Sequence, residues 1–127
     1  MGHQEPRCQQ SQGQARVFAM THQEATAVPN VITGKVLLFD MEVYVLIDPG
    51  STHSFISSAT ASCLHKKSEF LDNKLAVCTP VGEVVTVQVV YKGCTIKINR
   101  VEFLTDLIVF HLLELDIILD MDWLTRP

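Results

Sequence analysis

The segment Glu83-Val84-Val85-Thr86-Val87-Gln88-Val89-Val90-Tyr91 is dominated by β-branched side chains, and over much of its length they alternate with polar ones. In a helix that pattern would crowd χ1 at nearly every turn and scatter the apolar groups around the axis. In a strand it gives one buried face and one outer face. Similar short runs recur along the chain. Val31–Phe39 predicts a first strand, Asp40-Met41 a turn, and Glu42–Ile47 a second strand, together a hairpin. Leu75–Thr79 and Glu83–Tyr91 predict another hairpin, with Thr79-Pro80-Val81-Gly82-Glu83 at its tip. Lys92-Gly93 is expected to turn the chain into Cys94–Ile98, and Val101–Val109 and Asp116–Leu119 complete the strands. Small and apolar residues from Ser57 to Leu64 predict a short helix capped by Ser54 or Ser57, and Met121–Leu124 a second one. His65–Glu69 reads as a solvated connection. Many short strands separated by turn signals predict an all-β small barrel or sandwich with one or two short helices.

A chain of 127 residues has the length of one domain, and a 47% hydrophobic content supplies a core for it. Mean hydropathy is +0.22, high enough to suggest that a partner covers some apolar surface. Ten Lys and Arg stand against fourteen Asp and Glu, a net charge of −4, which argues against nucleic acid as the main partner. No apolar run reaches the roughly 18 residues that a membrane helix needs, and no signal peptide is expected. Cys8, Cys63, Cys78 and Cys94 are scattered, with no C-x-x-C pair, so neither a disulfide framework nor a complete zinc site is indicated. No cofactor and no metal are expected, and the default location is a reducing intracellular one.

The run Val45-Leu46-Ile47-Asp48-Pro49-Gly50-Ser51-Thr52-His53-Ser54-Phe55-Ile56 carries the candidate chemistry. An apolar strand stops at one acid, a Pro-Gly turn follows, and hydroxyl residues crowd the loop. Asp before Pro-Gly is a common turn. A carboxylate at the end of a buried strand beside hydrogen-bonding groups is also a candidate for acid–base work. Both readings are open on local chemistry alone. Near the end of the chain, Asp116-Ile117-Ile118-Leu119-Asp120-Met121-Asp122-Trp123-Leu124 forms a second apolar strand and an aromatic turn.

The two segments, in this order, resemble the retropepsin-like aspartic proteases of gypsy-type LTR retrotransposons, particularly the plant elements. There an Asp-Ser/Thr-Gly-Ala/Ser loop leads into Thr-His-Ser-Phe-Ile, and a segment like Asp-Val-Ile-Leu-Gly-Met-Asp-Trp-Leu follows later. The resemblance covers about Val31 to Leu124. It implies a small acid-protease barrel whose half-site is completed by homodimerisation, because such chemistry needs two carboxylates sharing one proton and this chain has one loop of the right kind. It assigns Asp48 as the catalytic acid, Gly50, Ser51 and Thr52 as the active-site loop, and Thr79, Pro80, Val81, Gly82 and Glu83 as a substrate-binding flap. The implied substrate is a Gag-Pol polyprotein peptide, processed inside the cell in a retroelement particle, with no membrane partner.

The chain departs from that family at two positions. Pro49 stands where a Ser or Thr bonds across the dimer axis, and proline has neither hydroxyl nor N–H. Dimer contacts are therefore expected to loosen or to pass to Ser51 or Thr52. Asp120 stands where the family has Gly. If that position needs positive φ, the substitution costs on the order of 1 kcal/mol or more; otherwise Asp120 can cap the helix expected from Met121. Little sequence follows Leu124 for a C-terminal interface strand, so the N-terminal segment contributes more, or a functional dimer needs further sequence. These departures keep open an alternative, a catalytically inactive remnant serving as a dimerisation or peptide-binding module.

Residues 1–30 read as a flexible linker preceding a protease domain at 31–127. Gln9–Gln14 is polar and low in complexity. His3 and Cys8 match the back half of a retroviral zinc knuckle, but two ligands do not hold tetrahedral zinc. Ala15–Thr26 is expected to be a short helix or an ordered linker. His53 is expected to be a structural hydrogen-bonder, Asp122 and Trp123 packing or capping residues, and His111 a surface residue. Cys63 and His65 are too few for a metal site.

Overall fold

The computed structural model describes residues 15–16, 32–48, 51–112 and 115–120. They form β1 (Ala15–Arg16), β2 (Ile32–Leu38), β3 (Met41–Ile47), β4 (Phe55–Ser57), helix α1 (Ser58–Ala61), β5 (Glu69–Cys78), β6 (Val84–Ile98), β7 (Val101–Phe110) and β8 (Ile117–Leu119). The strand order is β1-β5-β6-β2-β3-β8-β4-β7, and β6 also pairs with β7. That extra pairing closes β6, β2, β3, β8, β4 and β7 into a barrel, with β5 and β1 carried outward from β6. Closure removes the free sheet edges that an open sheet of these strands would present.

The hairpin of β2 and β3 runs in unbroken register from Ile32↔Ile47 to Leu38↔Met41. Its turn is Phe39-Asp40, one residue earlier than expected, with φ of 48° and 65°. Two consecutive left-handed residues match the right-handed twist of the strands they join. Asn99 and Arg100, with φ of 47° and 70°, do the same between β6 and β7.

Lys92-Gly93 does not turn the chain, contrary to the sequence expectation. β6 runs straight through it, and the register against β7 shifts between Tyr91 and Cys94. Gly93 adopts φ of +65°, and its N–H donates to Asp106 Oδ1 at 2.9 Å. The glycine therefore makes a bulge, which takes up one left-handed residue without ending the strand. β5 also begins earlier than expected, at Glu69, with an irregularity between Phe70 and Leu75.

α1 is shorter than the predicted Ser57–Leu64. Ser57 caps it, its Oγ accepting from the Thr60 N–H at 3.0 Å. After Ala61 the chain tightens into three-residue turns, Cys63 N–H to Thr60 O and Leu64 N–H to Ala61 O, both 3.0 Å. Of the expected helix or ordered linker at Ala15–Thr26, only Ala15 and Arg16 are described, and they form a strand. The helix expected from Met121 lies outside the described residues.

Two apolar clusters share the barrel strands. Leu46, Phe55, Ile108, Phe110 and Ile118 go to one, while Val45, Ile56, Leu107, Ile117 and Leu119 go to the other. Neighbours in sequence thus point to opposite sides, and both sides are buried. The near-continuous apolar runs in β3, β7 and β8 follow from this.

Candidate active site

β8 enters the sheet between β3 and β4, the two strands that flank the Asp48 loop. It pairs parallel to β3, with Ile47 opposite Leu119, and antiparallel to β4, with Phe55 opposite Ile118. The Asp48 N–H extends the first ladder by donating to Leu119 O at 2.9 Å. The acid at the end of the first apolar run and the strand from the second sequence motif are therefore bonded neighbours. Asp48 is fully buried.

The loop then folds back. Ser51 N–H donates to Asp48 O at 3.0 Å, and the buried Ser51 Oγ donates to His53 O at 2.6 Å. Buried Ser54 ties the loop to β7 and to the residue after β8: its carbonyl accepts from Ile108 N–H at 3.0 Å, and its Oγ accepts from Asp120 N–H at 3.1 Å. The Asp48 backbone is thus bonded both to Leu119 and to Ser51, and acid–base chemistry needs its carboxylate carried on such a fixed support. Thr52 is exposed, and its Oγ1 lies 3.0 Å from His53 Nδ1. The His53 ring sits 6.5 Å from that of Phe55, which packs at 5.4 Å on Phe110. His53 thus lies in the loop as a hydrogen-bonded residue. Pro49 and Gly50 lie outside the described residues.

Asp120 is half-buried, and positive φ among the described non-glycine residues is confined to Phe39, Asp40, Asn99 and Arg100. The backbone strain that an acid would suffer at a left-handed position therefore does not arise at Asp120. Its N–H supports Ser54 of the Asp48 loop instead.

The residues expected to form a flap make the tip between β5 and β6. Thr79 N–H donates to Glu83 O at 2.8 Å, Gly82 N–H to Thr79 O at 3.0 Å, and Glu83 N–H to Thr79 Oγ1 at 3.2 Å. Gly82 takes φ of +89°, which a side chain would oppose. Pro80, Val81, Gly82 and Glu83 are exposed, while Thr79 is buried. The tip is thus an internally bonded turn that presents an apolar Val81 to solvent.

Asp116 is a structural acid that the sequence reading treated only as the start of a strand. Its Oδ2 accepts from Tyr44 N–H at 2.7 Å and its Oδ1 from Thr60 Oγ1 at 2.5 Å. Its own N–H donates to Tyr44 O at 3.1 Å, and its carbonyl accepts from Ser57 N–H at 2.8 Å. Ser57 Oγ in turn donates to Thr60 Oγ1 at 2.8 Å. The residue locks β3, β4 and α1 together at the point where β8 enters. An acid inside an otherwise apolar run (Leu115-Asp116-Ile117) was the available signal.

A cavity of about 400 Å³ adjoins the loop, lined in part by Thr52, His53, Ser54, Leu104, Ile108 and Asp120. A larger one, about 590 Å³, lies between Leu38, Met41, Cys63 and Leu64, and no residue of the Asp48 loop lines it. Among the described residues, no group of three or more His, Cys, Asp or Glu is placed to hold a metal. His111 is exposed, as are Cys63 and His65. His3, Cys8, Asp122 and Trp123 lie outside the described residues.

A family model described as retroviral aspartyl protease matches residues 11–127. Among solved structures, the EIAV protease complexed with the inhibitor HBY-793 matches with a TM-score of 0.57 and 22% identity, over 76% of this chain and 88% of that one. No curated protein matches the chain. The barrel with its inserted β8 is the retropepsin fold.

Proposed function

The chain belongs to the retroviral aspartyl protease family, and from that premise we propose that it is an aspartic endopeptidase whose site is completed by a second copy of itself. The observation that carries the reading is the placement of Asp48, fully buried at the end of β3 with its backbone bonded to Leu119. One chain contributes one such loop, and water activation by carboxylates needs two that share a proton. In the homodimer, Asp48 of one protomer takes a proton from water as the water oxygen attacks the scissile carbonyl carbon. The protonated Asp48 of its partner gives its proton to the carbonyl oxygen. Collapse of the resulting diol, with a proton delivered to the amide nitrogen, breaks the C–N bond. The tip Thr79–Glu83 closes over the peptide.

The substrate class we assign is the polyprotein of a gypsy-type plant retrotransposon, processed inside the cell. Support comes from Thr52-His53-Ser54-Phe55-Ile56 and from Asp116–Leu124, which apart from Asp120 resemble the segments of those elements. An inactive peptide-binding remnant is the second reading. Pro49 brings no hydroxyl to the dimer axis, and the Ser51 hydroxyl proton is engaged by His53 O within its own loop.

Sedimentation of the purified chain, with cleavage of Gag-derived peptides from acidic to neutral pH, tests the proposal. Asp48→Asn should abolish cleavage by at least about a thousandfold while leaving the fold intact. Cleavage that survives this substitution excludes the mechanism.

A further inference from the structure

β1 lies on the flap. Ala15 pairs with Val77 and Arg16 with Cys78, in parallel, and Cys78 directly precedes Thr79 at the flap tip. The opposite edge of β5 is taken by β6, so β1 uses the one remaining main-chain edge of this flap arm. Ala15 is fully buried, in the cluster that also contains Leu46 and Phe55, on either side of the Asp48 loop. Ile118 of β8 and Val77 and Val87 of the flap arms belong to the same cluster. A short strand bonded to the flap arm, with Ala15 buried in the cluster that holds residues flanking the acid loop, is held as a peptide substrate would be held by strand addition.

From this placement we infer that β1, Ala15–Arg16, is a tethered occupant of the substrate cleft, competing with peptides supplied in trans. The inference rests on the proposed protease reading for its biological meaning, but not for its test. One edge cannot pair with two strands. A tether to β2 holds the segment at an effective concentration on the order of millimolar, so an incoming peptide binds only to the fraction of chains in which β1 is released. The occupant is a segment of the same chain, and its release opens the cleft.

The test uses the full chain carrying Asp48→Asn, so that binding is read without cleavage. A fluorescent peptide with the sequence of residues 12–22 is titrated by anisotropy into this chain and into the same chain with Ala15→Asp. A carboxylate cannot occupy the buried Ala15 position unpaired, so the substitution expels β1. The dissociation constant is expected to fall about tenfold. Unchanged or weaker binding overturns the inference. So does a chain that unfolds on the substitution, since β1 would then be an integral strand. With Asp48 restored, Ala15→Asp should lower KM and leave kcat unchanged. Tighter binding with no cleavage in either form would reject the protease reading and leave the tethered occupant standing.

Discussion

Thr60 and Asp116 meet at 2.5 Å, hydroxyl to carboxylate, across the junction of α1 and β8. The same carboxylate accepts from the Tyr44 N–H, so one side chain joins three segments that are far apart in sequence. Asp116→Ala should therefore lower unfolding free energy by about 2–3 kcal/mol, because it removes charge-assisted bonds and leaves donors unpaired. Thr60→Val, which keeps shape and loses the hydroxyl, should lose about 1 kcal/mol. Urea unfolding of both variants and of the double variant checks this. If the two effects simply add, the residues are not coupled.

Ser54 accepts from Asp120 N–H while its own carbonyl holds Ile108. Ser54→Ala leaves the Asp120 N–H without that acceptor and should cost about 1–2 kcal/mol. In the proposed enzyme kcat should fall more than KM changes, because the loop carrying Asp48 loses an anchor rather than a substrate contact. Ser54→Thr should restore most of both, measured by peptide cleavage alongside thermal unfolding.

Asp120→Gly replaces the acid with the residue that the resembling elements carry there. Because Asp120 has no left-handed backbone to relieve, the change should not stabilise the chain. A loss of about 0.5–1 kcal/mol is expected from the added freedom of glycine in the unfolded state. A gain in melting temperature would contradict the backbone geometry described above.

Burial pushes the Cys94 thiol up to about 11 from an ordinary 9.0, with Asp106 adding to the effect and Lys66 opposing it. The folded-state value is the higher one, so the contribution to stability is whole below pH 9. Between pH 9 and 11 the unfolded chain gives up this proton first, and stability falls as pH rises. Denaturant melts across that interval should show a shallower decline for Cys94→Ala than for the parent. At pH 8 the exposed Cys63 should react with a thiol reagent at once, with Cys94 and Cys78 protected until unfolding.

The strands were legible because alternation and turn residues act locally, whereas the retropepsin barrel came from the resemblance of two motifs. Glu83–Tyr91 and Cys94–Ile98 each carried their own alternation. Gly93 was misread because a glycine can end a strand or bulge it, and the choice depends on Asp106, which receives its N–H across the sheet. β1 was hidden for the same reason: Ala15 has little strand preference and is held by β5 and an apolar pocket. Asp48 could be singled out from its neighbours and its later motif. The work of Asp116 could not, since its partners Tyr44 and Thr60 come together only in the folded chain.

The insertion of β8 between β3 and β4 also sets an order of events. During synthesis the Asp48 loop leaves the ribosome long before Ile117–Leu119 exists to sit beneath it. Until that late strand closes the largest loop in the barrel, the acid has neither its Leu119 bond nor its buried setting. Among the described strands β8 comes last, so in the proposed enzyme the acid gains this bond and this setting only once residues 117–119 have been made.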